Sequence, residues 1–312
     1  MIVLSVAVVL AVCACVTLAG TWAIERGYPP SGRFVDVDGG RLHIVEMGPP
    51  DAPPVLLLHG ASGNLGDIRM ALGERLAAKY RVIVVDRPGH GWSDRPDGSA
   101  DAAPMRQAEL IHQALTRIGI TKAILVGHSW SGALATAYAL AFPDAVSGLV
   151  LLAPVTHPWP GGVAWINNLV ATPLIGPLVA HTLILPLGYF MIGPGVTAVF
   201  APEIPPPDYA ERTGVRMILR PSEFIANAQD IAGLKTAVTA QSPRYGEIKV
   251  PVAIIAGDAD RVVYTDIHSR GIAKMLPDAT LIVLPGVGHM VQFAAADRAV
   301  QAVDEVAAKA KR

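Results

Sequence analysis

Short unbroken apolar runs alternate with helix-like segments along most of the chain. The runs lie at 55–58, 82–85, 123–126, 149–152, 252–255 and 281–284. Helix-like segments lie at 66–79, 101–118, 131–142, 266–275 and 291–311. A strand with one wet face alternates apolar and polar residues, whereas a strand covered on both faces is apolar throughout. The pattern therefore predicts an α/β protein with a mostly parallel, doubly wound sheet. Ahead of it, residues 33–36 and 41–46 alternate around Asp38-Gly39-Gly40, which predicts a hairpin.

Two stretches leave this rhythm. Residues 2–24 carry no charge, and about 20 apolar residues suffice to cross a bilayer. A cleaved signal peptide is the rival, but its apolar region is usually about 7–15 residues long and follows basic residues. No Lys or Arg precedes this run, so an uncleaved anchor is expected, with export after cleavage as the alternative. Arg26, Arg33 and Arg41 follow the run, which leans toward a cytoplasmic domain. The two cysteines, Cys13 and Cys15, both fall inside it. The second stretch, 145–202, contains no Asp, Glu, Lys or Arg. Pro173, Gly176, Pro177, Pro186 and Gly188 interrupt it, and each costs helix continuity. An apolar lid of short helices is expected there rather than a second membrane span. The predicted organisation is an anchor over 1–24, a linker over 25–32, core over 33–154, a helical lid over 155–235 and core again over 236–312.

Composition narrows the partners. Hydrophobic residues make up 52% of the 312 and charged residues 16%, with a net charge of −1. Nothing there favours nucleic acid. No histidine or cysteine spacing resembles a metal site. The Gly-rich stretches lack the patterns of phosphate and dinucleotide loops. No cofactor or metal is expected.

The sharpest chemical signal is Val126-Gly127-His128-Ser129-Trp130-Ser131-Gly132, between an apolar run and a helix-like segment. A serine on a tight strand-to-helix turn presents its hydroxyl at the carboxyl edge of a parallel sheet. The usual spacing is G-x-S-x-G. Here Ser131 stands where the second glycine is usual, and Gly132 follows one step later. A serine hydroxyl needs an imidazole to take its proton and a carboxylate to orient that imidazole. Both follow in chain order. The run at 252–255 leads to Gly257-Asp258-Ala259-Asp260, and the run at 281–284 leads to Pro285-Gly286-Val287-Gly288-His289. His289 is the candidate base, and Asp258 and Asp260 compete for the acid. An oxyanion needs fixed donors. The Trp130 N–H, next to the nucleophile, is one candidate. The Ala61 N–H in the loop His59-Gly60-Ala61-Ser62-Gly63-Asn64 is the other, with Ser62 as an extra donor. His59 and His90 read as structural.

Together LLLHGASGN, DRPGHGWSDRP, VGHSWSGALA, PVAIIAGDADRVV and PGVGHMVQ resemble the α/β-hydrolase superfamily, in its serine-nucleophile, esterase- and lipase-like branch. The resemblance spans about 34–308, lid excepted. It implies Asp260, at the last position of G-x-x-D, as the acid and His289 as the base. Haloalkane dehalogenases and epoxide hydrolases of this fold use an aspartate nucleophile, and Ser129 points away from them. The expected activity is hydrolysis of a small, hydrophobic carboxylic ester through an acyl-enzyme. The alternatives are amide, thioester or carbon–carbon cleavage or perhydrolysis with the same triad, and a non-catalytic membrane-tethered binding protein.

Overall fold

The computed structural model describes residues 2–311. Its centre is a sheet of eight strands: β1 (Arg33–Val37), β2 (Gly40–Met47), β3 (Pro54–Leu58), β4 (Arg81–Val85), β5 (Ala123–His128), β6 (Val146–Leu152), β7 (Val252–Gly257) and β8 (Thr280–Leu284). Their spatial order is β1-β2-β4-β3-β5-β6-β7-β8. The first two strands form the expected hairpin, β2 pairs antiparallel with β4, and every later pairing is parallel. All six apolar runs are strands of this parallel part.

The continuous runs are explained by burial on both faces. Successive side chains of a strand point to opposite sides. Leu56, Leu58, Leu125, Leu149 and Ile254 pack with Ile111, Leu134 and Ile272 on one face. Val55, Leu57, Val126, Val150 and Ile255 pack with Ile68, Leu72, Val303 and Val306 on the other. The helices Pro104–Arg117, Ser131–Ala141 and Ser269–Met275 thus cover one face, and Ala296–Ala310 covers the other.

The chain between β6 and β7 departs from the sheet rhythm and is helical. Its apolar part was expected as separate short helices. Instead, α, π and 3₁₀ turns join end to end over Ile175–Phe200. The π segment Ala180–Ile184 directly precedes the turn that holds Pro186. A π turn relocates the backbone bonds that a proline would break, so the helical path survives. The boundary drawn at 235 also falls inside a helix. Pro221–Gln241 runs through it without a break, and Pro sits at its start where the missing N–H costs nothing.

The N-terminal segment is one helix, Ile2–Gly27. Leu4–Gly27 is long and apolar enough to cross a membrane, with mean hydropathy 2.3, as is Ile175–Phe200 at 1.8. The two touch. Thr17 Oγ1 donates to Thr182 O at 3.3 Å, and a Cβ on Gly20 would stand 2.6 Å from Leu185 Cδ2, so glycine permits the close approach.

Leu57 is fully buried near the end of β3, the strand that leads into the Ala61 loop. Leu57→Ala is expected to lower the unfolding free energy by about 2–5 kcal/mol. Urea unfolding of the full chain in detergent measures this, and a loss under ~0.5 kcal/mol would contradict the packing described.

Candidate active site

Ser129 follows β5 directly and has φ of +55°. That left-handed conformation is rare for a residue with a side chain. The elbow is fixed by main-chain bonds from Ser129 N to Leu152 O (2.9 Å), Gly132 N to Ser129 O (2.8 Å) and Val155 N to Ser129 O (2.9 Å). A Cβ on Gly127 would stand 2.5 Å from Ser131 O, and one on Gly132 would stand 2.3 Å from Pro154 Cβ. The tight contact at the elbow thus falls on Gly132. Ser131 is fully buried and donates its hydroxyl to His59 O. The departure from the usual spacing ties the elbow to the end of β3.

The structure brings Ser129, His289 and Asp260 together. His289 Nε2 lies 2.9 Å from Ser129 Oγ, and His289 Nδ1 lies 2.7 Å from Asp260 Oδ2. Asp260 Oδ1 accepts the N–H groups of Val262 (2.8 Å) and Val263 (2.9 Å). Asp258 does not reach the histidine. It is exposed and accepts the Gly286 N–H at 2.6 Å. The loops after β7 and β8 pass so closely that a Cβ on Gly257 would stand 1.9 Å from Val287 O. All three side chains are buried. The imidazole is thus placed to take the Ser129 proton while its other nitrogen holds a carboxylate.

Trp130 follows Ser129 in the chain, and Ala61 lines the same cavity as Ser129. Among the described residues, no other backbone group engages either N–H. The Ser62 N–H, considered above as an extra donor, is already committed to Asn227 Oδ1 at 2.7 Å. His59 accepts the Arg87 N–H on Nε2 (3.0 Å) and donates from Nδ1 to Gly60 O (2.8 Å). Burial holds its pKa well below the ordinary value, so it is neutral there and structural.

A buried polar cluster lies behind Trp130. Asp230 accepts from Arg87 (2.7 Å), His90 (3.0 Å), Arg95 (3.0 Å) and Gln107 (3.0 Å). The Arg87 guanidinium lies 4.1 Å from the centre of the Trp130 ring, whose Nε1 donates to Asp230 O at 3.1 Å. Burial alone would raise the Asp230 carboxyl, but Arg87, His90 and Arg95 outweigh it and hold it well below the usual range. Nothing in the sequence marks Asp230, because a lone mid-helix aspartate carries no local signal of what it meets.

Ser129 opens on a cavity of about 410 Å³. Its walls are mostly apolar and include Ile192, Val196, Val199 and Ile218 of the insertion. Asp67 and Tyr209, also missed in the sequence, line it too. Met191 is shared between the cavity wall and the exposed surface, beside Phe190.

A family model described as alpha/beta hydrolase family matches residues 55–303. The chain belongs to the α/β-hydrolase family. Among curated relatives, it is 30% identical over 267 residues to the 2-hydroxy-6-oxo-6-phenylhexa-2,4-dienoate hydrolase of Burkholderia cepacia, covering 82% of this chain and 87% of that one. It is 31% identical over 267 residues to the magnesium-chelatase 30 kDa subunit of Rhodobacter capsulatus, covering 81% and 86%. Among solved structures, a membrane phospholipase A aligns with TM-score 0.71 at 21% identity, covering 100% of this chain and 97% of that one. The first of these relatives carries the name of a hydrolase, and the structural likeness bears on fold.

Asp230→Asn leaves Arg87 and Arg95 without their counter-charge and is expected to cost about 3–5 kcal/mol. A carboxylate held below its unfolded value stabilises fully above about pH 4 and less as pH falls below that. The difference in unfolding free energy between the parent and the variant should therefore be widest above about pH 4 and shrink below it. A difference that widens on acidification would contradict this sign.

Proposed function

We propose that the protein is a serine hydrolase that cleaves carboxylic esters with apolar acyl groups through an acyl-enzyme. The observation that carries this reading is the continuous contact from Asp260 through His289 to Ser129 Oγ, at 2.7 and 2.9 Å, on the floor of an apolar cavity. Ser129 attacks the ester carbonyl while His289 takes its proton. His289 then protonates the departing alcohol, and water repeats the cycle on the acyl-enzyme. Asp260 fixes the imidazole tautomer. The N–H groups of Ala61 and Trp130 hold the oxyanion.

The same reading gives the remaining parts their work. Residues 1–24 anchor the protein in a membrane, and the insertion is the lid. Leu187, Phe190 and Met191 are exposed on the insertion, and Met191 also lines the cavity, an apolar surface suited to receiving acyl chains from an apolar phase. The name of the membrane phospholipase A, aligned over the whole chain, agrees with this placement.

Carbon–carbon cleavage is the rival, since the name of the Burkholderia cepacia relative is that of a dienoate hydrolase. A dienoate carries a carboxylate. Among the described residues lining the cavity there is no Lys or Arg to hold one, and Asp67 would repel it. The cavity therefore favours neutral esters.

Ser129→Ala should lower kcat on p-nitrophenyl octanoate by about 10⁴–10⁶-fold, leaving the residual rate of binding and the oxyanion donors. The parent protein should prefer the octanoate to the acetate in kcat/KM. Near-normal turnover by Ser129→Ala would sink the mechanism, and a preference for acetate would sink the assignment of the cavity to acyl chains.

A further inference from the structure

Asp67 is the one acidic side chain among the described residues that line the cavity. It sits on the short helix Leu65–Ile68, just after the loop that carries Ala61. The residue is only 6% exposed, and its open side is the cavity. Tyr209 donates its hydroxyl to Oδ1 at 2.7 Å. Gln292 Nε2 lies 3.4 Å from Oδ2, a long contact, and the same amide also lies 3.3 Å from His128 Nδ1. An ionised carboxylate has room for about four donors. One short bond and one long one leave it under-supplied. Burial accordingly raises this carboxyl to about 6, in spite of Tyr209, Gln292 and the nearby His289.

A buried acceptor with spare capacity, facing a substrate cavity, is stabilised by a donor on the substrate. Two observations say which donor and on which part. His289 and Asp67 line the same cavity, and the His128 ring, 4.9 Å from that of His289, shares the Gln292 amide with Asp67; the base must face the departing alcohol to protonate it. The acyl chain matches the apolar walls, which leaves the alcohol portion for Asp67. A neutral hydroxyl fits this setting better than an ammonium, because a cation would lose its hydration among Ile192, Val196 and Val199.

We propose that Asp67 is a specificity-determining residue that accepts a hydrogen bond from a free hydroxyl on the alcohol part of the ester, so that the substrates are acyl esters of polyols. This inference rests on the ester-hydrolase reading above. In the reaction the acyl group passes to Ser129 Oγ, the polyol leaves with the proton carried by His289, and water then releases the carboxylic acid. Asp67 is unchanged by the cycle.

The test compares glyceryl monobutyrate with n-propyl butyrate, which share an acyl group and differ in the free hydroxyls, on the full chain in detergent. The parent protein should favour the glyceryl ester in kcat/KM by about tenfold or more, as expected for a hydrogen bond to a charged group. In Asp67→Leu the ratio should fall to near one, with fluorophosphonate labelling at Ser129 reporting that the variant is folded. The parent ratio decides even if that variant does not fold. A parent ratio near one overturns the proposal. So does an unchanged ratio in labelled Asp67→Leu, or a preference for butyrylcholine over the glyceryl ester. Cleavage of both esters at equal rates defeats only this inference. Failure to cleave either, or p-nitrophenyl butyrate, defeats the ester reading itself.

Discussion

The left-handed backbone at Ser129 is the constraint that the rest of the site serves. A non-glycine residue at φ +55° costs about 1–3 kcal/mol and persists only when its surroundings over-determine it. Here β5 enters the turn and β6 receives its amide. Gly127 and Gly132 give the space, and the hydroxyl of Ser131 anchors the turn to His59. The sheet order places β7 and β8 on the far side of β6. Their loops therefore deliver Asp260 and His289 to the same edge. The geometry of the hydroxyl, imidazole and carboxylate follows from strand order and one strained turn.

The helical insertion is tied to that edge at several points, Tyr209 on Asp67 among them, and three more lie close to the reacting groups. Asn227 holds the loop beside Ala61 through Ser62. Asp230 grips Arg87 beneath Trp130. Glu203 accepts the N–H of Gly288, next to His289. These ties come from the flanks of the insertion. Its apolar middle, Ile175–Phe200, instead lies against the N-terminal helix. One segment thus forms both a wall of the cavity and a contact with the helix that is apolar enough to enter a membrane. That arrangement supports the proposed reading of a substrate with an apolar tail and a polar head.

The sheet was legible because its strands are buried on both faces and their residues must be apolar in succession. Ser129 and His289 were legible because a nucleophile turn and a strand-end Gly-His carry local signatures. Between Asp258 and Asp260 the residues alone gave no decision. The family resemblance favoured Asp260, and the distances agree. Less was readable where the chain compensates for its own breakers. The Pro and Gly residues of 173–188 suggested separate helices, but the π turn at Ala180–Ile184 keeps one helical path. Asp67 and Asp230 were invisible for another reason. Each is an ordinary aspartate within a helix, and its meaning lies in partners 142 and 143 residues away, Tyr209 and Arg87.

The central claim is that Ser129 becomes covalently acylated by an ester. Its most direct test is mass spectrometry of the protein quenched during turnover of a slowly deacylating p-nitrophenyl ester, followed by peptide mapping. The account predicts a burst of p-nitrophenolate approaching one equivalent and a single acyl group on the peptide that contains Ser129. Steady hydrolysis with no burst and no adduct, or an adduct on another residue, would contradict it.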